Sequence, residues 1–333
     1  MPAPFRPSTC PEEARVRDPR AGKEALGGSI VRFGAMPARR VLMIEPIGFR
    51  SNPETVADNA FQRAPGGESP QALEIAAREE FARLREVLES RGVEVEWRPA
   101  AADRESPDAV FPNNWFSTHR DGKLVLYPMM APSRRRERRE EVVDALRERY
   151  PDVVDFTSHE ADDRFLEGTG SLVIDERAGI VYASESPRTD RRLVYEWAER
   201  MGLAPIVFRA TDATGRPIYH TNVVMSVGSE WAVVCADAID PLDRSEVLAS
   251  LAETGRETLF LSLEQMAAFC GNVLELENER GDTLVVMSTR AFHAFTREQR
   301  SALEKHAELV HADLATIETH GGGSARCMLA ELY

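Results

Sequence analysis

The chain contains 333 residues, with 55 acidic and 41 basic side chains and a formal net charge of −14. This length is enough for one large domain or two ordinary ones, and 43% hydrophobic residues are typical of a soluble globular protein. The acidic excess argues against a nucleic-acid binder or a ligand of anionic membranes, because both need a basic surface. No apolar run reaches the length of about 20 residues that a membrane-spanning helix needs.

The start of the chain differs in character from the rest. Residues 1–38 mix Pro, Gly, Arg and Glu without periodicity and predict a flexible tail, whereas residues 39–333 predict a single domain. The N-terminus also lacks the apolar segment of a secretory signal. The four cysteines form no C-x-x-C pair, so we expect a cytoplasmic protein with free thiols rather than a disulfide framework or a zinc site.

A pattern of two short apolar strands, a helix and a third strand occurs four times. The first copy runs from residue 114, through an Asp-Gly turn and a helix over 134–149, to a strand at 153–156. Later copies start at residues 171, 222 and 273, about 50 residues apart. A fifth would combine the two chain ends, with strands at 325–332, 41–44 and 93–97 and a helix near 70–91. This repeat favours a closed α/β ring, and an open α+β sheet is the alternative.

Residues capable of chemistry lie just before the hairpins. They are Asp108, Asn113 and Asn114 in the first copy, Glu167 in the second, His220 and Asn222 in the third, and Cys327 in the fifth; residues 270–272 (Cys-Gly-Asn) precede the fourth. Equivalent positions of a ring meet at its axis, so we expect these side chains to lie together. A cysteine with a histidine and a carboxylate suits covalent catalysis.

Each of these residues also has a purely structural interpretation. Cys327 suits a small buried hydrophobic position, and His220 suits a hydrogen-bonded core histidine. The glycines 321–323 before Cys327 fit either a tight loop or close approach to a bound molecule. Gly168-x-Gly170 lacks the third glycine of a dinucleotide site, and the acidic run 159–163 is typical of a solvated loop. We therefore expect no metal and no cofactor.

Four segments together resemble one enzyme superfamily. They are 52–62 (NPETVADNAFQ), 111–115 (FPNNW), 167–171 (EGTGS) and 321–328 (GGGSARCM). In this order they resemble the guanidine-modifying enzymes of the pentein, or α/β-propeller, fold. The resemblance extends to the arginine-deiminase-related citrulline utilisation hydrolases and to the dimethylarginine hydrolases. It implies five hairpin–helix–strand units around a pseudo-fivefold axis and a small amino-acid substrate.

The resemblance also implies roles for individual residues. Cys327 corresponds to the nucleophile, His220 to the general acid/base, and Glu167 to the carboxylate that holds the terminal nitrogens of the substrate. Arg188 is similar to an arginine that binds the substrate α-carboxylate, and Arg134 or Arg135 is a second candidate. The remaining candidates for substrate binding are Asn114, Asn222, Asn113 and Asp108.

Two departures from the family pattern bear on the substrate. Asn114 stands where deiminases have a second carboxylate, and Asn222 stands where arginine deiminase has the Asp of His-x-Asp. An ionised Asp only accepts hydrogen bonds, whereas Asn both donates and accepts. The asparagines therefore suit a neutral ureido group better than a cationic guanidinium. This difference favours hydrolysis of citrulline to ornithine, carbon dioxide and ammonia.

Several alternatives stay open at the level of sequence. An arginine dihydrolase that releases no citrulline is the nearest, followed by a deiminase or dimethylarginine hydrolase and by an amidine transferase. A non-catalytic pentein binding protein, such as the ribosome anti-association factors, belongs to a different class and predicts a dispensable Cys327. The order of the leaving groups, the role of residues 1–38 and the oligomeric state, with a homo-oligomer among the choices, are not determined.

Overall fold

Five small sheets of three strands each make up the framework of the protein. The structure, a computed structural model, describes residues 36–63, 66–103 and 105–333. The strands are β1 (Arg40–Glu45), β2 (Glu94–Pro99), β3 (Phe116–Thr118), β4 (Lys123–Leu126), β5 (Asp152–Asp155), β6 (Val173–Asp175), β7 (Ile180–Ser184), β8 (Ala204–Phe208), β9 (Met225–Val227), β10 (Trp231–Val234), β11 (Glu257–Phe260), β12 (Leu274–Glu277), β13 (Thr283–Ser288), β14 (Glu308–Ala312) and β15 (Ala330–Leu332). The described residues belong to one compact unit.

Helices connect the strands within and between these sheets. They are α1 (Pro70–Ser90), α2 (Pro132–Arg135), α3 (Glu140–Arg149), α4 (Gly168–Ser171), α5 (Arg191–Met201), α6 (Thr221–Val224), α7 (Pro241–Glu253), α8 (Leu263–Ala267), α9 (Thr289–Ala294), α10 (Arg297–Leu303) and α11 (Ala315–Gly321), with 3₁₀ turns at Pro112–Asn114, Thr157–Asp162, Ala236–Ala238 and Ala325–Met328. Within the described chain, no helix combines the length and apolarity that would let it cross a membrane.

Every sheet is built in the same way. Its first two strands are antiparallel, joined by a hairpin turn in four of the five sheets, and a helical connection then brings the third strand parallel to the second. In the first copy, β3 and β4 are antiparallel and β5 joins β4 in parallel. Gly122 ends the hairpin turn at a φ of +85°, which glycine adopts without the steric cost of a side chain. The predicted hairpin–helix–strand unit is therefore confirmed.

The fifth sheet uses both ends of the described chain. β15 pairs antiparallel with β1, and β1 pairs in parallel with β2. Ala38, just before β1, is buried and bridges to Leu276 of β12 in the neighbouring sheet. The strands stay in five separate sheets, as the ring requires, so the alternative of one open sheet is wrong. A tail is predicted for residues 1–38, and residues 1–35 of it lie outside the described part of the chain.

Helices pack against the sheets through regular apolar faces. In α1, buried residues recur at the helical period, from Leu73 through Ala77, Phe81 and Leu84 to Leu88. The helix begins at Pro70, and the Ser69 side chain accepts a hydrogen bond from the Ala72 backbone N–H. Complete burial of one such leucine contributes about 1.5–3 kcal/mol.

One predicted helix is interrupted. The sequence predicts a single helix over 134–149, but α2 and α3 are separate, with a turn at 136–139. The Arg134 side chain is 2% exposed and donates hydrogen bonds to Glu137 instead of pointing to solvent. This inward pairing at the end of α2 accompanies the turn that delays the next helix until Glu140.

The short helical turns before the hairpins contact one another. The turn Pro112–Asn114 contacts α4 and the turn Ala325–Met328, and α4 contacts α6. Asn114 ends the first turn, while Glu167 and His220 immediately precede α4 and α6. Cys327 lies in the last turn. The repeat therefore brings residues from four units to one place.

Candidate active site

A small cavity opens where these turns meet. Five of the eight predicted site residues line it: Cys327, His220, Asn114, Arg188 and Asp108. The other lining residues are Thr55, Asn59, Phe111, Arg134, Tyr219 and the glycines 321–323. Glu167 is fully buried and hydrogen-bonds to His220 beside the cavity. Within the described part of the chain, no group of three or more His, Cys, Asp or Glu side chains is arranged to hold a metal ion.

His220 and Glu167 form a buried acid–base pair. The His220 Nε2 lies 2.9 Å from Glu167 Oε2, and a carboxylate can only accept, so Nε2 carries the hydrogen. Burial lowers the pKa of His220, although Glu167 opposes that shift, so the imidazole is neutral at neutral pH. Its Nδ1 is then left as a base. A Cβ on Gly170 would lie 2.6 Å from that nitrogen, which explains the glycine.

Glu167 is held in its ionised form. Burial alone would raise the pKa of its carboxyl group, but Arg188, His220 and Arg134 together lower the pKa to about 2. Arg188 Nη1 is 3.6 Å and Arg134 Nη1 3.8 Å from Glu167 Oε2. The Met130 backbone N–H also donates to Oε1 at 3.1 Å. The carboxylate is therefore fixed in position and charged throughout the neutral range.

The two buried arginines of the cavity already have carboxylate partners. Arg188 donates to both oxygens of Asp58, at 2.6 and 2.8 Å, and its guanidinium lies 5.1 Å from the ring centroid of Tyr219. Arg134 donates to both oxygens of Glu137, at 2.9 and 3.1 Å. Binding of a substrate carboxylate by Arg188 stays a prediction, and such a group would share the guanidinium with Asp58.

The second candidate for the α-carboxylate was Arg134 or Arg135. Arg134 lines the cavity, whereas Arg135 donates to the carbonyl oxygens of Met129 and Met130 and lies 3.5 Å from Glu160. Only Arg134 is thus in a position to contact a molecule in the cavity.

Asn114 has one amide atom occupied and one unused. Its Oδ1 accepts from Arg134 Nη1 at 2.8 Å. A guanidinium only donates, so this contact fixes which amide atom is the oxygen. The Nδ2 is buried and has no hydrogen-bond partner among the residues described. Asn114 therefore offers a hydrogen-bond donor at the cavity wall.

The Cys327 sulfur contacts two amide groups. Asn272 Nδ2 lies 3.2 Å and Asn222 Nδ2 lies 3.6 Å from Sγ. Cys327 is among the residues that line the cavity, although it is only 2% exposed. The sequence pattern identified the 270–272 segment but gave Asn272 no role, because its contact with Cys327 depends on packing between two units.

Three further predicted residues have the following contacts. Asp108 lines the cavity, and burial raises the pKa of its carboxyl group. Its Oδ2 accepts a hydrogen bond from Asn52 at 2.8 Å, whereas its Oδ1 has no partner in the described part of the chain. Asn113 donates to Thr169 Oγ1 and Asn222 donates to the Thr169 carbonyl oxygen, both at 3.2 Å. Neither asparagine lines the cavity, so a direct contact of Asn113 or Asn222 with substrate stays a prediction.

The glycine loop packs tightly beside Cys327. Gly322 has a φ of +69°, and a Cβ there would lie 2.4 Å from Asn59 Nδ2. Its carbonyl oxygen accepts hydrogen bonds from Asn59 at 3.3 Å and from the Tyr219 hydroxyl. Cβ atoms on Gly321 and Gly323 would come within 2.9 Å of the Phe111 ring. The glycines are therefore required for the close approach of this loop.

A larger cavity lies at the hairpin-turn end of the sheets. Two arginines in its wall are paired, Arg256 with Asp175 and Arg326 with Glu331. Cys327, His220 and Glu167 are not among its lining residues. The smaller cavity is therefore the candidate active site.

Comparison with known proteins agrees with this arrangement. Residues 45–333 match the model of the family described as N,N dimethylarginine dimethylhydrolase, eukaryotic. No curated protein matches the sequence. Among solved structures, a dimethylarginine dimethylaminohydrolase adduct with 4-chloro-2-hydroxymethylpyridine superposes with a TM-score of 0.61 at 14% identity, over 89% of this chain and 100% of the other.

A second group of similar structures is the arginine dihydrolase ArgZ of cyanobacteria. The apo form gives a TM-score of 0.69 at 17% identity, over 87% of this chain and 40% of ArgZ. Its N-terminal domain, covalently bound to a reaction intermediate, gives 0.70 at 16% identity, over 88% and 97%. The chain thus spans less than half of full-length ArgZ and nearly all of that domain.

These structural similarities confirm the predicted pentein fold. The family match covers nearly all of the described chain, from β1 to the last residue. The protein belongs to the N,N dimethylarginine dimethylhydrolase family.

Proposed function

We propose that this hydrolase acts on the ureido group of citrulline and forms ornithine, carbon dioxide and ammonia, with Cys327 as the nucleophile. The observation that carries the proposal is the contact between Arg134 and Asn114, a residue of the cavity wall. Arg134 occupies the amide oxygen of Asn114, at 2.8 Å, and leaves the amide N–H group without a partner among the described residues.

That N–H group selects for a hydrogen-bond acceptor. A ureido group has a carbonyl oxygen that accepts, whereas a guanidinium has only N–H donors. A guanidinium next to Asn114 Nδ2 would leave a buried donor without an acceptor, at a cost of about 1–3 kcal/mol. The opposite side of the ureido group carries an NH₂ group, which can donate a hydrogen bond to the carboxylate of Glu167. The pair Asn114 and Glu167 thus complements both ends of a urea.

Proton transfer from Cys327 to His220 starts the reaction. The neutral His220 takes the S–H proton at Nδ1, and Glu167 stabilises the imidazolium that forms. The thiolate attacks the ureido carbon, and His220 returns the proton to the departing nitrogen as its bond to carbon breaks. This step leaves a thiocarbamoyl group on Cys327.

Water completes the reaction by the same route in reverse. His220 removes a proton from water, the hydroxide attacks the thiocarbamoyl carbon, and the Cys327 sulfur leaves. The carbamate that is released loses carbon dioxide. Whether ammonia or ornithine departs first, one water is consumed and ornithine, carbon dioxide and ammonia are formed.

The amino-acid end of the substrate has matching groups in the cavity wall. Arg188 is the predicted partner of an α-carboxylate, which would share the guanidinium with Asp58, and Asp108, whose Oδ1 has no partner among the described residues, suits an α-ammonium group. Both residues line the cavity, so the proposed substrate is a free amino acid.

A second candidate function is arginine dihydrolysis. It is supported by the structural similarity to ArgZ, described as an arginine dihydrolase, and by the ionised Glu167, which suits a guanidinium as well as a urea. The two functions differ in whether arginine is consumed. A non-catalytic binding function would leave Cys327 dispensable.

Product analysis separates these functions. We would incubate the protein with citrulline, arginine or N,N-dimethylarginine and quantify ornithine and citrulline. The proposal predicts ornithine from citrulline and little turnover of the other two. Ornithine from arginine at a higher rate would favour the dihydrolase, and citrulline accumulating from either guanidinium compound would overturn the proposal. Cys327→Ser should be inactive, and Cys270→Ser, which changes another buried cysteine outside the cavity, should stay active.

A further inference from the structure

The sulfur of Cys327 faces amide donors from two other units of the ring. Asn272 comes from the turn before β12 and Asn222 from α6. Their Nδ2 atoms lie 3.2 and 3.6 Å from Sγ, and Asn272 Nδ2 also donates to the Asn222 carbonyl oxygen at 3.2 Å. An N–H group directed at sulfur stabilises a thiolate more than a thiol, because a hydrogen bond to a charged acceptor is stronger.

We propose that Asn272 is a further catalytic residue, which together with Asn222 stabilises the thiolate of Cys327 by direct N–H···S hydrogen bonds. The inference rests on the proposed role of Cys327 as nucleophile and adds which groups stabilise its sulfur as a thiolate. Asn222 is then a partner of the sulfur, in addition to its predicted place in substrate binding.

Neutral donors have a specific use in this cavity. The two arginines in the cavity wall are already neutralised, Arg188 by Asp58 and Arg134 by Glu137. The nearby Glu167 is negative and would oppose a second negative charge on sulfur. Amide donors offset that repulsion without adding a cation that would compete for the substrate carboxylate.

The backbone around Asn272 is arranged for this contact. A Cβ on Gly271 would lie 2.1 Å from the Val223 carbonyl oxygen, so only glycine lets the turn approach α6 so closely. Ser226 holds the same turn from the other side: its hydroxyl oxygen lies 2.8 Å from the carbonyl oxygens of both Gly271 and Val273, which share its one hydrogen. Asn272 Oδ1 is buried and has no partner in the described chain, so its Nδ2 contacts account for its orientation.

The test measures the ionisation of the sulfur and needs no turnover. We would follow alkylation of Cys327 by iodoacetamide from pH 5 to 10, reading the Cys327 peptide by mass spectrometry. Wild type would be compared with Asn272→Leu, which has nearly the same side-chain shape, and with the smaller Asn272→Ala; both variants lack the N–H donors and add no charge. Ser226→Ala is the matched control, because it loosens the same turn and leaves both amide donors in place.

Loss of the donor should make the thiolate harder to form. We expect the midpoint of the alkylation profile to move up by about one pH unit or more in both Asn272 variants, which is about a tenfold slower reaction below the midpoint. Ser226→Ala should keep the wild-type midpoint. A folded Asn272 variant with the wild-type midpoint would overturn the proposal, as would an equal shift in Ser226→Ala. If Asn272→Leu fails to fold, the uncharged Asn272→Ala decides.

The outcome is independent of the substrate. If Cys327→Ser keeps its activity, the proposed function fails, whereas the alkylation profile still reports whether Asn272 stabilises the thiolate. Conversely, if the protein hydrolyses citrulline but the Asn272 variants keep the wild-type alkylation midpoint, the proposed function stands and this inference is wrong.

Discussion

The imidazole of His220 and the carboxylate of Glu167 are joined by a hydrogen bond of 2.9 Å, and both side chains are buried. The pair orients the ring, directs Nδ1 away from Glu167, and provides a negative charge that stabilises the imidazolium formed during catalysis. Much of the chemistry proposed for Cys327 depends on this relationship.

Replacing Glu167 by Gln should therefore reduce kcat/KM for citrulline by about 10²- to 10⁴-fold, the usual contribution of a positioned acid–base group. Glu167 opposes the fall in the His220 pKa, so its neutralisation should lower that pKa further and move the acidic limb of the rate profile to lower pH. Steady-state rates from pH 5 to 9 measure both effects.

The matched control for this variant is Glu160→Gln. Glu160 accepts from the Met129 backbone N–H just as Glu167 accepts from Met130, but its carboxylate pairs with Arg138 and not with His220. It should retain the wild-type pH profile. A similar loss in both variants would show that Glu167 acts only through the backbone.

Asn114→Asp should change the preference between substrates. A carboxylate at this position would face the ureido oxygen with another acceptor, so kcat/KM for citrulline should fall by about 10-fold or more, while the ratio of arginine to citrulline turnover rises. Competition between the two substrates in one mixture measures that ratio. The neighbouring Asn113→Asp, outside the cavity lining, is the comparison; an unchanged ratio in Asn114→Asp would contradict the proposed selection.

Gly322→Ala tests the tight glycine loop against a matched glycine elsewhere. Gly322 and Gly202 both end helices at nearly the same φ, +69° and +67°, but a Cβ on Gly202 meets nothing within 4 Å. Gly202→Ala should lower the free energy of unfolding by about 1–2 kcal/mol, the cost of left-handed backbone for alanine. Gly322→Ala should cost more and reduce activity, since its Cβ meets Asn59. Equal losses by chemical denaturation would indicate backbone strain alone.

His119 should make the fold sensitive to acid. Burial lowers the pKa of His119 to about 4, below the value near 6.5 expected in the unfolded chain. The unfolded state therefore binds the proton first, and stability is lost as pH falls from about 6.5 to 4, by up to about 3 kcal/mol. The difference in unfolding free energy between wild type and His119→Gln should shrink by that amount over this interval. A constant difference would contradict the assignment.

Local signals in the sequence were sufficient for most of the framework. The helix predicted near 70–91 is found at Pro70–Ser90, because Ser69 caps it and Pro70 occupies its first turn. The strand predicted at 153–156 is β5 (Asp152–Asp155). The repeat of these units then predicted that Asn114, Glu167, His220 and Cys327 would lie together.

Contacts between distant side chains account for what the sequence did not reveal. Arg134 lies in a run of arginines and glutamates that is typical of a solvated helix, yet its side chain is buried against Glu137 and Asn114. Likewise, no local pattern joins Arg188 to Asp58, 130 residues away, or Asn272 to Cys327, 55 residues away. Such pairs become visible only when the ring has brought the units together.

The most direct measurement is to trap the covalent intermediate. Wild-type protein would be mixed with citrulline labelled at the ureido carbon, quenched in acid within a turnover, and digested for mass spectrometry. We predict the label on the peptide that contains Cys327 and, at longer times, in carbon dioxide in equal amount to ornithine. Ornithine formed without label on Cys327, or label on Cys327 from arginine but never from citrulline, would contradict the proposed attack on the ureido carbon.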